Sequence, residues 1–436
     1  MSVKNTSVKN TPVKNRPAKN RWLIVLSAVV IHLSIGSAYM YSVFKRPLAD
    51  ALGWSSTETS LAFTVAIFFL GLSAAVFGPF VERRGPRASA LVAAVLFAGG
   101  HAIAGAAVAA GSLWLFYLGY GVVGGIGLGI GYISPVSTLV KWFPDRRGMA
   151  TGMAVLGFGA GALLASPIAA RLIQSVGISQ TFFVLGAVFL VLMASGASYI
   201  ARPPEGWAPA AAASGTRRTR VTEDLAQLTA REALRTPRFW MLWVMMFINI
   251  SAGIMLISVA SPLAQEQIGM TAVAAAAMVG LMGLFNGAGR IGWASASDYL
   301  GRENVFILFF AVQLAAFLLL PMTSNALLFQ ILLFTVLTMY GGGFASLPAF
   351  IGDLFGTKQL AAIHGLLLTA WSMAGIVGPM VVAFVRDSTG SYELSFYLFA
   401  GLLLLALVTS LGMAANLRSI RQRNARTGTE GSLVEA

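Results

Sequence analysis

Residues 78–87 read GPFVERRGPR, and residues 294–302 read ASASDYLGR. Each stretch lies between two long apolar segments and carries an acid, Glu82 or Asp298, followed by a glycine and an arginine. An acid, a tight glycine turn and a base form a clasp, because the carboxylate can cap the helix that follows and pair with arginines across a seam. The recurrence of this clasp predicts an internal repeat, with one clasp in each half of the chain.

The composition places both clasps in a membrane protein. Of the 436 residues, 57% are hydrophobic and 11% are charged, whereas a soluble globular domain has about 25% charged residues. About twelve segments reach the roughly twenty apolar residues that a helix needs to cross the hydrocarbon core. They begin near Trp22, Ser56, Ala88, Leu113, Gly148 and Gln180, and then near Phe239, Thr271, Asn304, Asn325, Leu360 and Tyr392. The sequence predicts an all-α membrane protein with twelve transmembrane helices in two six-helix bundles.

A polar stretch separates the two groups of six spans. Residues 202–237 contain a run rich in Ala, Gly and Ser and a cluster of arginines, which is typical of a linker. Within it, the pattern predicts a short amphipathic helix over Thr222–Leu234, capped by Thr222. The predicted domains are a basic disordered N-tail (1–21), an N-terminal bundle (22–201), the cytoplasmic linker (202–237), a C-terminal bundle (238–416) and a cytoplasmic C-tail (417–436).

Lys and Arg are concentrated on one side of the predicted spans. The formal net charge is +14, and most of the basic residues fall in the tails, the linker and the loops after spans two and four. Positively charged loops stay in the cytoplasm, so we expect both termini there, in a plasma (inner) membrane of bacterial type. The charge is attracted to anionic lipid of the bilayer, and no motif supports a nucleic-acid partner.

The sequence offers little support for a metal site, a cofactor or an enzyme active site. The chain has no cysteine and only three histidines, far apart in sequence, so we expect no metal site and no cofactor. No nucleophile–base constellation is present, and an enzyme is therefore not expected.

The repeated clasp resembles the loop motif of the major facilitator superfamily, and the plan of six spans, linker and six spans matches that family over nearly the whole chain. The resemblance implies a secondary transporter whose two bundles rock about a central site. It assigns gating roles in the cytoplasmic motif to Gly78, Glu82, Arg83, Gly85, Arg87, Asp298, Gly301 and Arg302.

Four further stretches narrow the resemblance. They are NRW (20–22), WFPDRRGMA (142–150), RTPRFW (235–240) and LFNGAGR (284–290). Together they resemble the bacterial oxalate:formate antiporter family and its relatives, the monocarboxylate transporters. This resemblance implies transport of small organic anions that carry a carboxylate group.

Arg290 stands out without reference to any family. It lies eight residues before Asp298, about 12 Å deeper along a helix, where a lone guanidinium costs several kcal/mol unless it faces a cavity or an anion. No Asp or Glu is predicted in the middle of any span. We therefore expect a substrate carboxylate to pair with Arg290 bidentately; the alternative is a structural arginine satisfied by backbone carbonyls and water.

The number of cations that meet the substrate indicates its charge. In the oxalate-type family a lysine in span eleven joins the arginine of span eight, and the alignment puts Trp371 at the lysine position. A dicarboxylate would then bury one carboxylate without a charge partner, which favours a monocarboxylate such as L-lactate or pyruvate. Asn286, one turn before Arg290, is expected to orient the guanidinium or to bind the substrate, with helix packing as the alternative.

Other site residues follow from the resemblance. Aromatic residues at positions that line the pocket in the oxalate-type family are Tyr39, Tyr132, Phe158, Tyr340 and Phe344. The alternative for each tyrosine is an interfacial or packing residue. Lys45 is expected at the outer mouth, as an attractor of anions. Apart from the resemblance, the position of His364 at the cytoplasmic start of span eleven indicates a solvated helix-end histidine, with a proton relay as the alternative.

The leading hypothesis is proton-coupled symport of a monocarboxylate by a carrier that works as a monomer. The alternatives are an oxalate/formate-type anion antiporter and a sensor that binds its ligand without transport.

Overall fold

The computed structural model describes residues 19–204, 207, 209 and 224–434. Within them, twelve helices are long and apolar enough to cross a membrane. The first six are α1 (Arg21–Leu52), α2 (Ser56–Arg84), α3 (Pro86–Ala109), α4 (Leu113–Trp142), α5 (Arg147–Val176) and α6 (Ile178–Tyr199). The second six are α7 (Pro237–Glu266), α8 (Ala272–Leu300), α9 (Arg302–Leu319), α10 (Ala326–Phe355), α11 (Leu360–Thr389) and α12 (Glu393–Val434). The prediction of an all-α protein with twelve spans is confirmed.

Side-chain caps determine where several of these helices begin. The side chains of Asn20, Ser55, Thr236, Thr271 and Asn325 accept hydrogen bonds from backbone N–H groups in the first turns of α1, α2, α7, α8 and α10. Such caps satisfy donors that the helix itself leaves unpaired. Each of the twelve helices begins within two residues of the start that hydropathy indicates.

Two helices are irregular along their length. A 3₁₀ turn, Ser37–Tyr41, interrupts α1, and a π-helical stretch, Tyr117–Val123, follows the first turn of α4. Each irregular stretch changes the direction in which the following side chains point. The turn in α1 contains Tyr39, which the sequence predicts to line the site.

The glycine of each clasp makes the turn between two consecutive helices. Gly85 joins α2 to α3 with φ of 82°, and Gly301 joins α8 to α9 with φ of 86°. A side chain would be strained at such angles. The two turns therefore have the same backbone geometry, as the internal repeat predicts.

The two halves of the chain meet most closely along two pairs of helices. In one pair α2 packs against α11, and in the other α5 packs against α8. A methyl group at Gly365 of α11 would overlap the carbonyl oxygen of Ala74, and one at Gly148 of α5 would overlap that of Ala294. Small residues permit this close backbone approach between helices.

The linker differs from its prediction. A helix covers only Ala230–Leu234, where a capping box joins Thr229 and Glu232; hydrogen bonds from Thr229 lower the pKa of the Glu232 carboxyl. The preceding residues are not helical, because the backbone N–H groups of Leu225 and Leu228 donate to carbonyl oxygens at the end of α10. The predicted cap Thr222, the arginine cluster at 217–220 and most of the basic N-tail lie outside the described residues.

Candidate functional site

A cavity of about 630 Å³ lies between the two halves of the chain. Residues of α1, α2, α5, α7, α8, α10 and α11 line it, so both bundles contribute. Among the described residues of its wall, the charged ones are Lys45 and Arg290, and none is acidic. The cavity is therefore suited to an anion rather than to a cation.

The cavity extends away from the side of the membrane on which α1 begins and the linker lies, here called the terminus side. Lys45 comes near the end of α1, Ser60 and Thr64 come near the start of α2, and all three line the cavity. The side chain of Thr64 is exposed. The cavity thus reaches the side opposite the termini.

Arg290 lies on α8 in the wall of this cavity and is only 4% exposed. Its Nε donates to Oδ1 of Asn286 at 3.1 Å, and its Nη1 donates to the carbonyl oxygen of Val155 at 2.7 Å. A guanidinium has five N–H groups, so three remain for other acceptors. The contact expected between Asn286 and Arg290 is present. The carbonyl oxygen of Val155 accepts one hydrogen bond from the guanidinium, which is part of what the alternative of a structural arginine predicts.

Three of the aromatic residues named from the sequence line the cavity together with Arg290. They are Tyr39 of α1, Tyr340 of α10 and Trp371 of α11. The other lining residues include apolar side chains of α2, α7 and α11, which form a surface for an alkyl group.

The remaining predicted aromatics lie behind this wall. Tyr132, Phe158 and Phe344 are at most 2% exposed, and their rings lie 5.9, 5.8 and 4.8 Å from the Trp371 ring. The expectation that they line the pocket is corrected, because their rings pack against residues of the wall, Trp371 for all three and Tyr39 for Phe158, and are not themselves in it. Phe344 still contacts the site, since its ring lies 5.8 Å from the Arg290 guanidinium carbon.

Sequence reasoning missed two hydroxyl residues of the cavity wall and predicted the wrong surroundings for His364. Ser60 and Thr64 line the cavity, but hydroxyl residues near a helix start carry no distinguishing pattern. Lys45 lines the cavity with its Nζ 3.0 Å from Oγ of Ser60. His364 is not a solvated helix-end residue, because α2 and α4 cover it and leave it 0% exposed.

The clasp carboxylates hold the two halves together on the terminus side. Oε1 of Glu82 accepts a hydrogen bond from the backbone N–H of Ala361 at 2.8 Å, in the first turn of α11. Oδ1 of Asp298 accepts one from Gly148 at 2.8 Å, and Oδ2 accepts one from Met149 at 3.0 Å, in the first turn of α5. Each carboxylate therefore caps a helix of the opposite half, where the positive end of the helix dipole favours it.

This arrangement corrects the expectation that each acid caps the helix that follows it. The glycine after each acid turns the next helix away, while the close pairs α2–α11 and α5–α8 bring another helix start to the carboxylate. The two caps are equivalent, so the repeat in sequence produces a repeated contact.

Four further charged residues continue these contacts toward the interior. Together with the caps by Glu82 and Asp298, they form the closed contact region on the terminus side, here called the seal. Asp353 of α10 pairs with Arg147 of α5 and with Arg302 of α9, each at 2.9 Å. Arg147 also pairs with Asp224 of the linker at 2.6 Å, and Arg302 pairs with Asp298 at 2.8 Å. The network ties both halves and the linker together.

The remaining clasp residues have different places. Gly78 packs α2 against Ala362 of α11. Arg83 and Arg87 are exposed at the surface, although the sequence assigned both to the gate. The arginine that crosses between the halves is Arg147 at the start of α5, which the sequence did not assign to the gate. Arg302, which it did assign, pairs with Asp298 and Asp353 of its own half.

A family model described as Major Facilitator Superfamily matches residues 27–350 of the chain. The oxalate:formate antiporter of Oxalobacter formigenes is 28% identical over 373 residues, which are 85% of this chain and 86% of the relative. Human monocarboxylate transporter 11 is 25% identical over 409 residues, 91% of this chain and 84% of the relative. These matches are transporters, and the chain is accordingly a multi-pass membrane transporter rather than an enzyme.

The fold also has counterparts among solved structures. The crystal structure of the transporter FucP in the outward conformation superimposes with a TM-score of 0.71 at 15% sequence identity. The match covers 89% of this chain and 97% of FucP. At that identity the similarity concerns the fold alone.

The seal generates a prediction for Asp298→Asn. The amide removes a charge from a buried network, and breaking such a pair costs about 3–5 kcal/mol, so the closed terminus side should lose population. The rate at which a maleimide labels Thr64→Cys in detergent measures this population, since the chain has no cysteine of its own. When the terminus side opens, the cavity closes on the opposite side, where Thr64 lies. We therefore expect labelling to slow by roughly tenfold or more.

The matched control is Glu303→Gln, because Glu303 pairs with Arg421 within one half, and Arg421 is 53% exposed. Exposed pairs contribute about 0–1 kcal/mol, so this variant should label like the parent. Equal labelling rates for Asp298→Asn and the parent would mean that the carboxylate does not hold the seam.

Proposed function

Because the chain belongs to the major facilitator superfamily, we propose that it carries a small monocarboxylate, such as L-lactate or pyruvate, in symport with a proton. The observation that carries the proposal is Arg290, a buried guanidinium with three unused N–H groups in the wall of a cavity that has no acidic residue among those described. A carboxylate fits this guanidinium bidentately. The anion then supplies the counter-charge that a cation at this depth requires.

The charge of the substrate follows from the cations near Arg290. Trp371 occupies the neighbouring wall and brings no charge. The second cation, Lys45, lies six residues beyond Tyr39, about 9 Å further along α1 toward the open side, and its ammonium bonds to Ser60. A second carboxylate on a short substrate would lack a partner beside Arg290, at a cost of several kcal/mol.

The rest of the wall suits a short chain with one polar substituent. Phe63, Ile67 and Ile254 offer apolar contacts to an alkyl group. The hydroxyl groups of Tyr39 and Tyr340 are available to a keto or hydroxyl oxygen of the substrate. Lactate and pyruvate present a carboxylate, one such oxygen and a methyl group.

Alternating access uses the seal described above. In our proposal the terminus side faces the cytoplasm of a bacterial-type cell and the monomer is the functional unit. Substrate enters from the open side, the bundles rock, and the caps by Glu82 and Asp298 separate to open the terminus side. A proton that travels with the anion leaves the step without net charge movement.

The second candidate is exchange of oxalate-type anions, which is favoured by the two cations of the cavity and by the oxalate:formate antiporter among the relatives. Uptake of labelled L-lactate into proteoliposomes with an alkaline interior separates the two. Uptake that is driven by the gradient and indifferent to oxalate supports symport, whereas gradient-independent exchange blocked by oxalate supports the antiporter. Binding without any flux would indicate a sensor.

Arg290→Lys tests the anchor. A point charge cannot reproduce the bidentate fork, so we expect lactate uptake to fall by about a hundredfold, which corresponds to roughly 2.7 kcal/mol. The control is Arg386→Lys, because Arg386 pairs with Glu266 at the surface and should tolerate lysine. Uptake at the parental rate in Arg290→Lys would refute the assignment.

Trp371→Lys tests the rule that one cation selects a monocarboxylate. The new ammonium supplies a partner for a second carboxylate, so inhibition of uptake by oxalate should strengthen by at least roughly tenfold, or 1.4 kcal/mol. Trp371→Phe removes the indole without adding charge and should keep the preference for lactate. If oxalate competes equally in the two variants, Trp371 does not determine substrate charge.

A further inference from the structure

Three helices bring two histidines and a tyrosine together behind the cavity wall. His32 of α1 and His364 of α11 both contact Tyr132 of α4, with ring centroids 5.2 and 5.7 Å from the Tyr132 ring. All three side chains are 0% exposed. The Tyr132 ring also lies 5.9 Å from Trp371, which lines the cavity.

This cluster lies between the cavity and the seal. His364 follows Ala361, the residue whose N–H Glu82 holds, by one helical turn. Trp371 follows His364 by seven residues, about 10 Å further along α11. Opening the terminus side would therefore bring water to the cluster, while the opposite opening leaves it behind the aromatic wall.

The polar atoms of the cluster are poorly satisfied for a buried site. Both ring nitrogens of His364 and the hydroxyl oxygen of Tyr132 have no hydrogen-bond partner among the described residues. His32 is better satisfied, because its Nδ1 is 3.1 Å from the carbonyl oxygen of Ala28 and its ring also meets the backbone of Tyr132. A buried polar atom without a partner is unfavourable, so a group of three at one place calls for a function.

The charges around the cluster link it to the anion. Arg290 acts electrostatically on His32 and on Tyr132, and His32 and His364 act on each other, so the cluster holds one proton rather than two. The other titratable groups facing them are the hydroxyls of Tyr39 and Tyr340. No carboxylate of the described residues is among these groups. While Arg290 is unpaired, a proton on His32 meets a like charge, and a carboxylate bound to Arg290 removes that repulsion.

We propose that His32 and His364, both in contact with Tyr132, form the site that takes up the transported proton when the carboxylate binds Arg290. The inference rests on the proposed function and names its coupling residues. For this step the aromatic wall at Trp371 admits water from the cavity; the proton passes from that water to an imidazole nitrogen, forming an imidazolium, and returns to water on the terminus side after the seal opens. Histidine is the side chain suited to this exchange, and complete burial opposes the charged form of both imidazoles until a counter-charge or water reaches them.

His101 provides a matched control. It is also a buried histidine, 1% exposed, with Nδ1 bonded to the carbonyl oxygen of Phe97 at 2.9 Å and Nε2 without a partner. Its ring packs against Tyr120, Phe182 and Phe189, away from the cavity wall. Removing it changes the same chemistry at a place where no coupling is expected.

Proton uptake on lactate binding is the test, measured with a pH indicator in weakly buffered detergent solution near pH 7. The unmodified protein and His101→Gln should take up about one proton for each lactate bound. His364→Gln should still bind lactate, within roughly threefold of the parental affinity, and take up at least fivefold fewer protons. In proteoliposomes it should retain lactate exchange but lose accumulation driven by an alkaline interior.

The outcomes separate this inference from the function on which it rests. Lactate binding by the unmodified protein without proton uptake would overturn the inference and leave a monocarboxylate carrier. Undiminished proton uptake in His364→Gln would overturn it as well. If His364→Gln binds no lactate, His32→Gln is tested in its place, by its lactate affinity and by the number of protons it takes up. Absence of lactate binding to the unmodified protein would refute the proposed function itself.

Discussion

A permanently charged guanidinium inside a membrane requires a counter-charge, and much of this structure is organised around that requirement. Asn286 and the carbonyl oxygen of Val155 hold two of the five N–H groups of Arg290, which fixes the direction of the others. An acidic side chain in the wall would neutralise the guanidinium permanently and leave nothing to attract an anion. The described wall has none, so in the proposed carrier the counter-charge comes with the substrate and the charge of the site changes in every cycle.

The seal has to meet a second electrostatic requirement. Its contacts must hold the terminus side closed and must also separate when that side opens. Glu82 and Asp298 bind to helix starts of the opposite half, and the helix N-terminus is a site that water can solvate when the carboxylate leaves. Asp353 remains between two arginines, one from each half. On opening it can keep Arg302 of its own half, so the buried carboxylate need not be left without a partner.

Sequence reasoning predicted the features that depend on local pattern. Hydropathy located the helix starts, and the depth of Arg290 along α8 indicated a buried charge. It failed where the answer depends on which helices become neighbours. The acids cap α5 and α11 rather than the next helix, and Tyr132 lies behind Trp371 rather than in the wall. His364 looked solvated because it lies one turn from a helix start, but neighbouring helices cover that turn.

The same geometry explains why anion and proton would travel together. Transport requires that the loaded carrier reorients and that the half-loaded carrier does not accumulate. If Arg290 is empty, its charge opposes a proton on His32; if the carboxylate is bound, the pair is neutral and the histidines can accept one. Binding of each ligand then favours the other by the same free energy, since linkage is reciprocal. A carrier built in this way needs no acidic residue in its cavity, because the substrate carboxylate takes that role.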